Sequence, residues 1–312
     1  MRNYIIRRLL QLIPVLFLAS VAIFAIVRMS PSDPAILLAG GRQSSPATLE
    51  AIRAKYHLRD PLPRQYLSWA SGALRGDLGE SFRLKQSVSA MIRSRLPVTL
   101  QLILMSMTLS LAVAIPLGVI AAANKGKAID KIITAFALAS LSSPVFLTGI
   151  VGVLVFAYTL GWLPALGSGN GFAENLRYLL LPSIALALNM LALSLRVTRN
   201  GMIEALSSNY VQTAVAKGLP RRTVLLKHAL RNALIPLSTV TGLQIGFLLT
   251  GTVLVEYTFG IGGIGSLLVN GIQSSDYPVI QGATLFVVAS FLLVNLAVDL
   301  LYAAIDPRIR YS

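Results

Sequence analysis

The chain contains no cysteine and only two histidines, His57 and His228. Structural disulfides are therefore excluded, and a conventional Cys/His metal site lacks its ligands. Acid is scarce as well: 12 Asp and Glu stand against 27 Lys and Arg, for a formal net charge of +15. Charged residues make up only 12% of the chain, where a soluble domain carries about 25%. No Walker A loop occurs. The nearest fragment, Gly126-Lys127, lacks both the preceding glycine loop and a following Ser or Thr.

What fills the chain is apolar. Of 312 residues, 55% are hydrophobic, and the mean hydropathy is +0.71. Six apolar segments stand out, at about 9–27, 97–123, 132–160, 178–195, 234–255 and 280–305. Roughly 20 helical residues cross about 30 Å of hydrocarbon. The first and fourth segments just reach that length, and the third is long enough to tilt or to begin outside the membrane. Backbone at such depth must hydrogen-bond internally, so helices are expected even where Val and Ile abound. The expected fold is an all-α polytopic membrane protein with six transmembrane helices. Arg2, Arg7 and Arg8 before the first segment also fit a signal peptide, but that apolar run exceeds the usual h-region and five spans follow. A retained helix is expected there, with cleavage left open.

The bases fall between apolar runs rather than on a polar domain, which argues for topology control and against nucleic acid. Lys125, Lys127 and Lys131 lie between spans two and three, Arg196 and Arg199 close span four, and Arg308 and Arg310 follow span six. By contrast, 161–177 has only Arg177 and 256–279 has no base. The positive-inside rule places both termini in the cytoplasm. The segment 31–96 carries ten bases with five acids but exceeds the length over which the rule is reliable. It is expected outside the membrane, as a subdomain of short amphipathic helices. Pro46 can open a helix on which Leu49, Ile52 and Tyr56 recur, and a further helix brings Tyr66, Trp69 and Leu74 near one another.

The stretch YVQTAVAKGLPRRTVLLKHALRNALIP, residues 210–236, has no acid and five bases: Lys217, Arg221, Arg222, Lys227 and Arg231. Ala214, Ala216 and Lys217 favour helix, Gly218 can stop it, and Pro220 suits the first turn of a second helix. The reading is a cytoplasmic helix–turn–helix within 200–235, with Pro236 starting span five. A solvated basic face or an anionic-lipid patch would fit its charge. Apolar ridges beside exposed bases also fit a docking element for a partner.

The same stretch resembles the coupling loop of the inner-membrane permease subunits of bacterial ABC importers for dipeptides, oligopeptides, nickel and related solutes. Gln212-Thr213-Ala214 takes the place of that family's Glu-Ala-Ala, Gly218 matches its glycine, and His228-Ala229-Leu230-Arg231 takes the last position. The match is better to the peptide/nickel branch, whose form is Tyr-x-x-Thr-Ala-x-Ala-Lys-Gly followed by His-x-Leu-Arg-Asn-Ala-x-x-Pro. Branch features recur along the whole chain: Ser30-Pro31-Ser32-Asp33-Pro34, Asp60-Pro61, Gln65-Tyr66, GDLGES at 76–81 and Leu96-Pro97-Val98-Thr99-Leu100 opening span two. Glu256, Phe259, Gly263-Ile264-Gly265, Asp276-Tyr277-Pro278, Gln281, Asn295, Asp299 and Asp306-Pro307-Arg308 follow, with Gly262 where proline is usual.

The resemblance implies the type I importer fold in a bacterial inner membrane, with no enzyme activity and no cofactor in this chain. It implies a second, related permease, two cytoplasmic ATPase subunits that bind ATP and Mg²⁺, and an external solute-binding protein. Heterodimer is the usual arrangement in this branch. The implied coupling residues are Gln212, Thr213, Ala214, Lys217, Gly218, Arg221, His228, Leu230, Arg231, Asn232 and Pro236. The domain order becomes 1–30 with the first span, 31–96 outside, 97–305 as transmembrane core and 306–312 as tail. Asn189, Glu256, Asn295 and Asp299 are polar groups in or near spans, suited to a pore or to helix packing. Gly242, Gly246 and Gly251 suggest close helix approach. Di- or oligopeptides are the expected cargo, with nickel complexes or glutathione as the alternative. An ion-gradient transporter would favour inverted repeats, of which none is convincing, and a membrane scaffold remains the other rival.

Overall fold

The computed structural model describes residues 2–29, 35–36, 45–55, 59–169 and 171–305. The Ser30–Pro34 motif, Tyr56, His57 and the 306–312 tail with Asp306-Pro307-Arg308 lie outside the described residues. The regular structure among those described is helical, with no strand and one isolated bridge between Glu80 and Ser87. Lipid offers the backbone no hydrogen-bond partners, and only the helix satisfies it segment by segment.

In chain order the helices are α1 (Arg2–Arg28), α2 (Pro46–Lys55), α3 (Leu62–Leu74), α4 (Val88–Ala123), α5 (Ala128–Ser142), α6 (Val145–Thr159), α7 (Phe172–Leu206), α8 (Asn209–Ala216), α9 (Arg221–Thr258), α10 (Ile264–Gln273) and α11 (Tyr277–Ile305). Portions of α1, α4, α7, α9 and α11 are each long and apolar enough to cross a bilayer. The third apolar run is not one tilted helix: α5 and α6 meet at 101°, so the spans number five, or six if this bent pair is one crossing. The break falls at Ser143-Pro144. Proline removes an N–H and pushes the preceding residue out of the α region, and Ser143 sits at φ −85, ψ 125. Span two also differs, since α4 begins at Val88 and runs through Pro97.

The structure forms two compact units. The first gathers α1–α3, the start of α4, α10 and most of α11. Its α1 and α3 meet through aromatics: the Phe24 ring lies 5.6 Å from Tyr66 and 6.1 Å from Trp69, and Ser20 Oγ is 2.8 Å from the Tyr66 hydroxyl. Leu74 does not join them; it is 91% exposed at the end of α3. Val88, Met91 and Ile92 pack with Ile264, Leu267 and Val279 as a buried cluster. There the Thr99 hydroxyl accepts the Ile264 N–H at 3.0 Å, satisfying one of the donors that the start of α10 leaves without a helical partner.

The second unit holds the rest of α4, α5–α9 and the end of α11. Its axis is α7 against α9, with α5 and α6 also packed on α7. Close approach is enforced by small residues. A Cβ added at Gly242 would lie 2.5 Å from Val298 Cγ1, so the glycine is what lets α9 and α11 meet there. Asp130, at the start of α5, is buried and accepts two hydrogen bonds from Arg199 of α7, at 2.6 and 2.7 Å. It also accepts the Gly126 N–H at 2.9 Å, so one carboxylate pins a turn and two helices.

Candidate functional site

The basic stretch folds as two helices about a turn whose geometry its residues dictate. At the end of α8, the Leu219 N–H reaches the Ala214 carbonyl at 3.3 Å and the Gly218 N–H reaches Val215 at 2.9 Å. This pair of bonds is the Schellman arrangement, and it needs a left-handed residue at Gly218, whose φ is +76. Pro220 follows at the N-cap of α9 with φ −61. The helix it opens is not interrupted at Pro236, where the sequence suggested the span begins. It continues to Thr258, with Pro236 inside it and a π-helical segment at Val224–Ala229.

The inner face of this hairpin is apolar and small. Ala229 and Ala233 pack with Val119 and Ala122 of α4 and with Met202 and Ala205 of α7, and Leu225 and Leu230 lie against the same cluster. Val211 and Ala214 are the buried residues of α8. Gly201 allows the approach: a Cβ there would lie 3.2 Å from both Cα and Cβ of Ala233. Two polar contacts fasten the edges. Asn232 Nδ2 donates to the Tyr210 hydroxyl at 2.5 Å, joining α9 to α8. Arg221 Nη2 donates to the Ala123 carbonyl at 3.1 Å, placing a cation on the last carbonyls of α4.

The outer face is what remains. Val215, Leu219 and Leu226 are 58%, 38% and 47% exposed, and Lys217, Arg222 and Lys227 stand exposed among them. Gln212, Thr213, Gly218, Arg231 and Pro236 are exposed too, while His228 is half-buried and Ala214 buried. The residues named from sequence thus divide into an inward set that builds the hairpin and an outward set that can meet a partner. Arg221 belongs to both, being exposed yet bonded to α4. Tyr210 was part of the quoted motif but carried no role until its bond to Asn232 was seen.

Asn189, halfway along α7, borders a cavity of about 210 Å³ with Leu141, Val145, Gln244 and Phe247. Gln244 is tied down by the Ser194 hydroxyl at 2.9 Å and the Met190 carbonyl at 3.1 Å. Periodicity alone had not singled out Gln244 and Ser194. Glu256 is fully buried, and Asn295 and Asp299 are half-buried along α11.

The described residues thus present apolar helices, a basic two-helix hairpin and a small cavity beside Asn189. Comparison with known families supplies the function class. Residues 114–311 match the family described as binding-protein-dependent transport system inner membrane component, and residues 1–103 match its N-terminal membrane component. The chain belongs to this family: it is an ABC importer permease, a multi-pass inner-membrane transport subunit rather than an enzyme. Its family implies ATPase and solute-binding partners and a second permease. Among curated relatives, the glutathione transport system permease protein GsiC of Escherichia coli (strain K12) is 42% identical over 312 residues, covering 100% of both chains. GsiC of Shigella boydii serotype 4 (strain Sb227) is 41% identical over the same full lengths. A solved amino acid ABC transporter with histidines covers 70% of this chain and 94% of its own, at 16% identity and a TM-score of 0.48.

Proposed function

We propose that this chain forms half of an import pathway for small peptides of the glutathione class. The observation that carries the reading is the end-to-end similarity to glutathione permeases, without gaps in coverage at either end. It favours the alternative drawn from sequence, glutathione, over the wider di- and oligopeptide class placed first. Nickel complexes gain no support from it.

In this reading both termini and the 210–236 hairpin face the cytoplasm, as the distribution of bases suggests. The exposed ridge of Val215, Leu219 and Leu226 enters a groove on an ATPase subunit, with Lys217, Arg222 and Lys227 facing an acidic rim. ATP and Mg²⁺ are held by those subunits, and their closure biases a two-state packing of the spans. The second permease is a distinct, related chain. Asn189 faces the permeation route, where its amide can match a peptide bond in both donor and acceptor.

Uptake of labelled glutathione by cells carrying the complete system, with and without this chain, tests the reading. Deletion should abolish uptake, and unlabelled glutathione should compete where dialanine and nickel complexes do not. Unchanged glutathione uptake together with lost dipeptide uptake would return the assignment to the broader peptide class.

A further inference from the structure

The broken pair α5–α6 runs from one end of the second unit to the other. At its start Asp130 binds Arg199, near the end of α7, and Arg221 ties the start of α9 to the end of α4. Beyond the break, Gly149 packs so closely on the Phe259 ring that an added Cβ would lie 2.7 Å from it. Phe259 caps the far end of α9. The break at Ser143-Pro144 therefore falls between the two ends. Leu141 and Val145, one on each side of it, line the cavity of about 210 Å³ together with Asn189 and Gln244. Asn189 stands ten residues before Arg199 in α7. That is a rise of about 15 Å, half the thickness of the hydrocarbon layer.

A helix interrupted at that depth leaves backbone groups that lipid cannot satisfy. Of the last four carbonyls of α5, which have no helical partner, Ala139 receives the Ser143 hydroxyl at 3.4 Å. On the other side Pro144 is the N-cap of α6 and gives its first turn no side-chain bond. Ser142 and Pro144 are exposed, and Ser143 is half-buried. An exposed polar break at mid-depth suits water or a packed protein surface, and not acyl chains. The cavity favours water. It is far larger than the roughly 10–15 Å³ that one water needs, and the half-buried Asn189 stands in its wall.

We infer that this break lines the permeation route, and that Ser142, Ser143 and Asn189 form an uncharged polar station there for the backbone amides of the cargo. Among the described residues no acid or base lines the cavity. Neither end of a zwitterionic peptide is then held back by an opposite charge. Gln244 is engaged by Ser194 and the Met190 carbonyl, so it fixes the wall and leaves Asn189 as the amide the cargo meets. That the cargo is a peptide rests on the function proposed above; the wet break does not.

The absence of cysteine opens the break to a direct test. Single Ser142→Cys and Asn189→Cys variants, in the complete transporter in proteoliposomes, are treated with a membrane-impermeant maleimide. Co-purification of the ATPase subunits shows that each variant is folded. Leu18→Cys, 65% exposed midway along the α1 span, is the control at lipid depth. Only the thiolate reacts, and apolar surroundings suppress it, so both route positions should label about tenfold faster than the control. S-methylglutathione, delivered with the solute-binding protein, should slow both, since it has no thiol to consume the reagent. Rates equal to the control at both positions overturn the wet break, the case of a second permease covering it included. Labelling at residue 189 without labelling at residue 142 removes the break from the route. Protection by dialanine and not by S-methylglutathione upholds the station and overturns the glutathione reading instead.

Discussion

Ser81 donates its hydroxyl to the Asp276 carboxylate at 2.5 Å, across 195 residues of sequence. The same carboxylate accepts the N–H of Phe82 at 3.0 Å and of Arg83 at 3.3 Å, while Ser81 Oγ accepts the N–H of Leu84 at 2.9 Å. Both side chains are buried. Two motif fragments, GDLGES and Asp-Tyr-Pro, are thereby one structural device: an acid that supplies acceptors for the Phe82 and Arg83 N–H groups, while Ser81 and Lys85 pair within the turn. Asp276→Ala should strand three donors and destabilise the first unit by several kcal/mol, since each costs about 1–3. Ser81→Ala should cost less. Thermal unfolding of the two single variants and the double variant checks this, and strict additivity would disprove the coupling.

Gly218→Val places a β-branched residue at φ +76. Nothing lies within 4 Å of a Cβ built there, so the penalty is backbone strain alone, of order 1–2 kcal/mol. Insertion into the membrane should survive while ATPase pull-down and uptake fall. Gly218→Asn, which tolerates the left-handed region, should recover much of the loss. Equal association for Val, Asn and Gly at this position would remove the turn from the coupling role.

Arg199→Gln leaves Asp130 buried without its cation, and loss of the two charge-assisted bonds should cost about 1.5–3 kcal/mol. Arg199→Lys should fall between, because a lysine keeps the charge but not the fork. Melting temperatures of the purified variants give the order: wild type, Lys, Gln. Any other order contradicts a pairing by geometry as well as charge.

Topology reporters fused at Lys85 and Asn270 should read outside, and those at Lys127 and Lys217 inside. An inside reading at Lys85 or Asn270 would reject the orientation drawn from the bases.

Much of this was legible from apolar runs, because five spans announce themselves by length alone. What escaped was decided by single residues or by distant ones. Pro144 was visible within the third run, yet hydropathy averages over it and the 101° bend does not register. The helix at Ile264–Gln273 is too short to stand out as a span and was read as connection. Arg93, Ser94 and Arg95 interrupt the hydropathy of α4 and hide its start at Val88. In the hairpin, Gly218 and Pro220 declared the turn through backbone chemistry, which is local. The bonds from Arg221 to Ala123 and from Asn232 to Tyr210 depend on packing across elements, which no window along the chain contains. Leu74 shows the opposite error: spacing put it beside Tyr66 and Trp69, but α3 ends there and turns it out.

The uninterrupted course of α9 has a mechanical consequence. Its 38 residues form a rod of about 57 Å, far longer than the hydrocarbon layer is thick. At Gly242 it packs directly on the Val298 side chain of α11, whose Cγ1 would lie 2.5 Å from an added Cβ. That point divides the rod into arms of about 32 Å on the Arg221 side and 24 Å on the Thr258 side. With a fulcrum there, a sideways push at the hairpin returns at the far end reversed in direction and reduced by about a quarter. If Gly242 is the pivot, the helix is an oar and this contact its rowlock.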